Sequence, residues 1–446
     1  LTQAQVGMSR FVATGNECDV DVADALSWMS QDDASDAVLC CVESVRDGAA
    51  WLDAVKQLRA AGKRVYVLKI GTSQAGQAAA MTHTGGLVRS DAVFDAAVAA
   101  AGAARVHSLE ALVQLGVADQ ALQHELDIND KSVVVVAASG GFGIMMADAA
   151  SEQGFALRQP SQQAQARIKA SLPLASAANP VDATAQMSAT PQALYELLAA
   201  LLSDRANQVV CVMIALAMEV PRLRGIYLDT FKRLKQAFPE RPLVACVSGP
   251  VDAVNELTSY GVICFPTIAA TFQGLDALFE ASQELVSGET KLGCADAALP
   301  ASVFGHEREA KRCLSDAGVP VLSEWCASTA QEAGRIAEEC GTAMAMKILS
   351  PQILHKTEVG GVALGVVPED ASQVFQDMTA RVQAAEPEAV IEGVLMSPMV
   401  SGGQELIVGS TTDPAFGPVV MVGLGGIYAE VFRDTALRLA PVTAQD

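Results

Sequence analysis

Ser132-Val133-Val134-Val135-Val136-Ala137-Ala138-Ser139-Gly140-Gly141-Phe142-Gly143-Ile144-Met145-Met146 is the stretch that decides the fold. Residues 132–139 carry no charge and are rich in β-branched side chains, the pattern of a strand buried on both faces. Three glycines then punctuate the chain, and 144–153 reads as a helix. A strand that passes through a glycine turn straight into a helix is half of a βαβ unit, and such units build a parallel sheet covered by helices on both sides.

The same alternation extends outward from that stretch. Upstream, 36–43 reads as strand, 48–61 as helix and 64–70 as strand. A long Gly/Thr/Ser/Gln loop precedes a helix at 91–101, then a short strand at 104–107 and a helix at 109–115. This first unit closes in the polar stretch 127–131. Downstream, strands at 208–216 and 242–248 are separated by helices at 191–202 and 227–237. Beyond 285 the segment Val286-Ser287-Gly288-Glu289-Thr290-Lys291-Leu292-Gly293 suits a linker. From about 301 the pattern changes. Helices at 306–317 and 330–340 are followed by strands at 343–349, 359–366, 391–399, 405–409 and 418–422, with one long helix at 369–384 among them. Few crossovers between many strands predict an α+β domain with an antiparallel sheet.

Composition bounds the function. The chain has 446 residues, 51% of them hydrophobic, enough for about three domains with cores of their own. Its 30 Lys+Arg against 51 Asp+Glu give a formal charge of -21. No broad basic surface exists to displace counterions from nucleic acid or to meet anionic lipid, so neither is an expected partner. An anionic ligand must instead be held by backbone amides, a few placed cations or a metal. The apolar run 209–218 is about half of a membrane-spanning helix. Ten cysteines without a Cys-x-x-Cys spacing read as small buried hydrophobes in a reducing cytoplasm. The chain starts at Leu1, with no initiator Met and no signal-like segment.

Several residues carry chemistry. His83 lies in Thr82-His83-Thr84-Gly85-Gly86, a loop leaving the C-terminal edge of a parallel sheet, where ligands bind in such folds. A loop histidine is by itself an ordinary surface residue, but the small and hydroxylated neighbours suit a ring nitrogen that receives a phosphoryl group. Glu43 ends the strand 36–43 at the same edge and could orient that imidazole. Asp47 in the next turn is an equally legal strand-end acid. Lys347 interrupts an apolar strand and needs an anionic partner, a nucleotide phosphate being the natural one, unless it simply snorkels. His355 follows in Ser350-Pro351-Gln352-Ile353-Leu354-His355-Lys356-Thr357-Glu358-Val359-Gly360-Gly361. Gly140, Gly141 and Gly143 could cradle an anion or merely make a tight turn, for they fit neither the dinucleotide fingerprint nor the P-loop. Glu430 and Asp434, just beyond Gly423-Leu424-Gly425-Gly426, could offer hard oxygen ligands to Mg2+ or be merely solvated carboxylates.

Taken together, these stretches resemble the NDP-forming acyl-CoA synthetase family, the ADP-forming acetate–CoA ligase type related to succinyl-CoA synthetase. The resemblance is carried by Phe11-Val12-Ala13-Thr14-Gly15-Asn16-Glu17, Val42-Glu43-Ser44-Val45-Arg46-Asp47-Gly48, Thr82-His83-Thr84-Gly85, Ser90-Asp91-Ala92, Asn179-Pro180-Val181-Asp182, the run 350–361 and Asp413-Pro414-Ala415-Phe416-Gly417-Pro418. It implies an α/β chain of two flavodoxin-like, parallel-sheet CoA-ligase domains, 1–128 and 129–290, followed by an incomplete ATP-grasp domain, 297–446. It makes His83 the phosphohistidine, Glu43 its stabilising glutamate and His355 a relay histidine. Lys347 and Lys356 fall to the nucleotide phosphates, Glu392 to the strand near adenine, and Glu430 and Asp434 to Mg2+. ATP/ADP, Mg2+ and coenzyme A are the implied cofactors, with a small carboxylic acid as substrate and a cytoplasmic homo-oligomer as the assembly.

Three departures accompany it. The family's Ser-His-Thr-Gly-Ala stands here as Thr82-His83-Thr84-Gly85-Gly86, which retains a hydroxyl. The CoA-binding domain expected before residue 1 and the end of the ATP-grasp domain expected after Asp446 are not in the sequence, which implies an internal piece of a longer fused polypeptide. The rival reading is the ligand-sensing region of a fused protein acetyltransferase, where the phosphohistidine machinery would decay; His83, Glu43, Lys347 and His355 all stand. A NAD(P)-linked oxidoreductase is disfavoured by the lack of Gly-x-Gly-x-x-Gly at any strand-to-helix turn.

Overall fold

The structure is a computed structural model and describes residues 7–73, 75–76, 90–122, 130–188, 191–283, 307–353, 355–400, 402–425 and 435–443. The chain divides into two compact units, Leu1–Thr290 with Leu406–Asp446, and Lys291–Glu405.

The first unit holds two parallel sheets. Strands β1 (Ala37–Val42), β2 (Arg64–Lys69) and β3 (Ala104–Val106) lie in that order, with Val42 beside Lys69 at the C-terminal edge. Strands β4 (Val133–Ala137), β5 (Val181–Asp182), β6 (Val209–Ala215), β7 (Leu243–Val247) and β8 (Ile263–Phe265) form the second sheet, in the order β5-β4-β6-β7-β8. All its pairings are parallel, as the alternation of strands and helices predicts. The sheets share one core. Tyr66, Leu68 and Leu115 from the first pack in a single cluster with Val133, Val135, Phe155 and Phe272 from the second. The amphipathic helices Leu109–Gln120 and Ile268–Ser282 supply much of that junction. Burying apolar area on both faces of each sheet is what makes the strands read as unbroken hydrophobic runs.

A third sheet belongs to this unit as well. β13 (Leu406–Asp413), β14 (Gly417–Leu424) and β15 (Thr435–Leu439) form an antiparallel meander. In the β13–β14 turn the Asp413 carboxylate accepts from the amides of Ala415 (2.8 Å) and Phe416 (3.0 Å). That turn aims Phe416 at the fully buried Trp51 and at Phe94, with ring centroids 6.3 and 6.1 Å away. An aromatic contact thus ties these last strands to helix Gly48–Ala60 within the first compact unit.

The second unit is antiparallel, as its strand-rich pattern predicts. Strands β9 (Trp325–Ala327), β10 (Met344–Leu349), β11 (Val362–Val366) and β12 (Gly393–Pro398) lie in the order β11-β10-β12-β9. Helices Ala330–Cys340 and Ala371–Ala385 contribute Ile336, Phe375, Met378 and Val382 to a core shared with Met344, Met346 and Ile348 of β10. Alternation along the strand puts Lys347 on the opposite face.

The cysteines need a correction. Cys40, Cys211, Cys246 and Cys264 are buried as expected, and burial pushes the thiols of Cys40 and Cys264 up to about 12. Cys18 and Cys41 are exposed, Cys41 because it faces away from the core on the alternating strand β1. No helix among the described residues is long and apolar enough to cross a membrane.

Candidate functional site

Among the described residues, a dense charge cluster lies in the second unit. Lys347 leaves the middle of β10, flanked by Val362 of β11 and Leu395 of β12. Its ammonium meets Glu307 Oε1 at 3.1 Å, and Lys356 meets Glu307 Oε2 at 2.6 Å. Lys311, one helical turn after Glu307, reaches Oε1 at 2.9 Å and also pairs with Glu324. Burial works to raise the Glu307 carboxyl, but bonds from Lys356, Lys311 and Lys347 hold it down to about 2. The anionic partner that Lys347 needs is thus supplied within the chain. Sequence reading missed both Glu307 and Lys311. The only signal was their i,i+4 spacing on a helix so charged that it passes for a solvated face.

The loop after β10 is fixed by close packing. Gly361 donates its amide to the Lys356 carbonyl at 2.7 Å, and Ile348 accepts no bulk there: a Cβ on Gly361 would stand 2.7 Å from Ile348 Cγ2 and 3.0 Å from the Lys356 carbonyl. Lys356 is thereby held against β10, one residue after His355, which is exposed. Glu392 is exposed too; its amide bonds the Leu349 carbonyl at 2.8 Å as the chain enters β12.

In the first unit the structure places Glu43 directly after β1, exposed, at the sheet edge where β2 also ends. Asp47 is occupied differently: it caps helix Gly48–Ala60, accepting from the Ala50 amide at 2.9 Å. Of the two acids that spacing left open, Glu43 is the one without this capping duty. His83 lies outside the described residues. The described ends of its segment are joined by charge. Lys69, at the end of β2, meets Asp91 at 3.2 Å, and Arg105 meets Asp91 at 3.1 Å and Asp95 at 2.7 Å. Burial opposes ionisation of Asp91, yet the Arg105 and Lys69 bonds hold its carboxyl below the usual range.

Gly140, Gly141 and Gly143 form the first turn of helix Gly140–Glu152, not a turn before it. Ser139 makes no side-chain cap, so the leading amides are not met by a capping hydroxyl. The Asn179-Pro180-Val181-Asp182 motif packs against this turn. A Cβ on Gly143 would stand 3.3 Å from Pro180 Cβ, and one on Gly140 would stand 3.3 Å from Asp182 Oδ2. Asn179 is buried and stitches the segment to β4, accepting from the Val135 amide (3.0 Å) and donating to the Val133 carbonyl (2.8 Å).

Glu430 and Asp434 lie outside the described residues, and among the described residues no group of three or more His, Cys, Asp or Glu could hold a metal ion.

A family described as ATP-grasp domain matches residues 303–446, and one described as succinyl-CoA ligase like flavodoxin domain matches residues 1–118. The chain is 32% identical over 463 residues to acetate–CoA ligase [ADP-forming] I of Archaeoglobus fulgidus, covering 99% of this chain and 64% of that protein. It is 43% identical over 141 residues to acetate–CoA ligase [ADP-forming] II subunit beta of Pyrococcus furiosus, covering 31% of this chain and 60% of that one. The solved dinucleotide-forming acetyl-coenzyme A synthetase 1 of Ca. Korarchaeum cryptofilum, in complex with phosphate and ADP, shares the fold. It aligns with a TM-score of 0.54 at 23% identity, covering 63% of this chain and 60% of that chain. The chain spans less than two thirds of the length of these relatives.

Proposed function

The chain belongs to the NDP-forming acyl-CoA synthetase family, and from that premise we propose that it is part of an enzyme joining a small carboxylic acid to coenzyme A while ATP becomes ADP and phosphate. The observation that carries the reading is the convergence of Lys347 and Lys356 on one anion, beside the exposed His355. Two ammonium groups on a rigid strand and a pinned loop suit the phosphates of a nucleotide, since positioning and charge neutralisation are most of what phosphoryl transfer asks of a protein. The expected relatives of this chemistry, ADP-forming ligases, align along 99% of the chain.

In this reading a ring nitrogen of His355 attacks the γ-phosphorus of ATP; a P–N bond forms, a P–O bond breaks and ADP leaves. The phosphoryl group passes to His83, whose other ring nitrogen Glu43 would keep protonated. A carboxylate oxygen of the acid then takes the phosphoryl group, giving an acyl phosphate. The coenzyme A thiolate attacks the acyl carbon and expels inorganic phosphate. Each transfer is reversible, and two covalent relays replace one difficult condensation. The leading amides of the Gly140–Gly141–Gly143 turn would donate hydrogen bonds to the oxygens of the travelling phosphoryl group. Glu430 and Asp434 would supply the oxygen ligands for Mg2+, whose charge offsets that of the phosphates. Glu392 is assigned to the adenine side of the nucleotide. A cytoplasmic homo-oligomer completes the reading.

Labelling tests it. The full-length protein with γ-labelled ATP and Mg2+ should become an acid-labile, base-stable phosphoprotein. His83→Ala should keep the label at His355 and lose acyl-CoA formation; synthesis at the wild-type rate would overturn the assignment. A panel of acids assayed by ADP release identifies the substrate, and release of AMP would indicate a different synthetase chemistry.

A further inference from the structure

Three ammonium groups sharing one carboxylate is an uncommon use of lysine. Lys356, Lys311 and Lys347 lie 2.6, 2.9 and 3.1 Å from the oxygens of Glu307. Glu324 neutralises part of the charge on Lys311. Three cations against two carboxylates leave the cluster with one net positive charge, on the sheet face opposite the helices. Glu307 lies at the described start of helix Glu307–Asp316, in which no residue is fully buried. Its described ion pairs to the rest of the unit are those of Glu307 with Lys347 and Lys356, and of Lys311 with Glu324. With no fully buried residue, the helix depends in good part on these ion pairs for its attachment.

We propose that Lys311, Lys347 and Lys356 form one anion site, that Glu307 is its internal occupant, and that the phosphates of a nucleotide displace the carboxylate and release the helix. The inference rests on the reading of Lys347 and Lys356 as phosphate ligands, and adds Lys311 as a third cation and Glu307 as the competitor. A carboxylate bears one negative charge and two acceptor oxygens. A polyphosphate brings several of each, so it gains more from the same three donors than Glu307 does. Glu307 stays ionised throughout the neutral range, so the site is never without an anion, and a ligand must outbid a tethered one. If Glu307 instead served only to space the lysines, removing it would weaken anion binding. The two roles differ in sign.

The test measures binding of ATP and of inorganic tripolyphosphate to the full-length protein by calorimetry, without Mg2+. Glu307→Gln should bind both about tenfold more tightly than wild type, a shift of about 1.4 kcal/mol. Lys311→Met should bind about fivefold more weakly. In wild type, saturating tripolyphosphate should speed amide hydrogen exchange across 307–316 several-fold, a readout that needs no variant to fold. Unchanged or weaker binding by Glu307→Gln overturns the proposal, as does exchange that slows or stays the same. Lys347→Met separates the two levels. If it loses ATP binding while Glu307→Gln gains none, only the displacement fails. If wild type binds neither ligand, the phosphate site itself fails.

Discussion

Acidification of the second unit isolates the energy stored in the lysine cluster. The Glu307 carboxyl is held at about 2 in the folded chain against an ordinary value of 4.5. A lowered folded value means that the stabilisation is complete above the unfolded value and drains away as pH falls from about 4.5 towards about 2. Holding the carboxyl at about 2 corresponds to about 3 kcal/mol before screening. The Glu307 side chain keeps 24% of its surface, so solvent screening reduces this to about 1.5 kcal/mol. The assay is urea unfolding followed by hydrogen exchange of peptides within 325–398, at pH 7, 5, 4 and 3, for wild type and Glu307→Gln. Wild type should lose about 1 kcal/mol more than the variant between pH 5 and 3, with the remainder lost only on further acidification, and the variant should already be weaker at pH 7. Other carboxylates titrate in both proteins, so the difference between them reports Glu307. Parallel pH profiles would refute the ionic account of how this helix is held.

Two further substitutions probe the scaffold around the site. Asp119 is buried and accepts from the Arg64 guanidinium (3.1 Å) and the fully buried Tyr66 hydroxyl (2.7 Å). Asp119→Ala should therefore cost about 3–5 kcal/mol in urea unfolding of the first unit, as expected when one member of a buried pair is removed; a loss under about 1 kcal/mol would contradict that. Gly361→Ala puts a methyl group 2.7 Å from Ile348 Cγ2 and should lower unfolding stability by about 1–3 kcal/mol. It should also weaken ATP binding, because the loop it displaces carries Lys356. Normal affinity in a destabilised variant would separate the loop from the site.

How much of this was legible follows from the range of each interaction. Strands β4, β6 and β7 announce themselves because burial on both faces excludes every charge from the run. Lys347 was conspicuous for the same reason, as an ammonium inside an apolar strand. Its partner was not, because Glu307 stands 40 positions earlier on a helix whose charges look like any solvated face. The glycines at 140–143 read as a turn because glycine is a poor helix former. Only the approach of Pro180 and Asp182, set by the β4–β5 pairing, shows why a helix must begin there without side chains. Phe416 likewise gives no local sign that it will reach Trp51 and Phe94 and carry β13 and β14 with it. A sequence shows which groups are expensive to bury, since that cost belongs to the residue itself. It does not show which distant group satisfies them, since that is fixed by topology. For this chain the two facts meet at Glu307. Residue type alone says that Lys347 needs an anion, but only the fold shows that the carboxylate of Glu307 in the same chain meets both Lys347 and Lys356, which is why the proposed site predicts competition on binding.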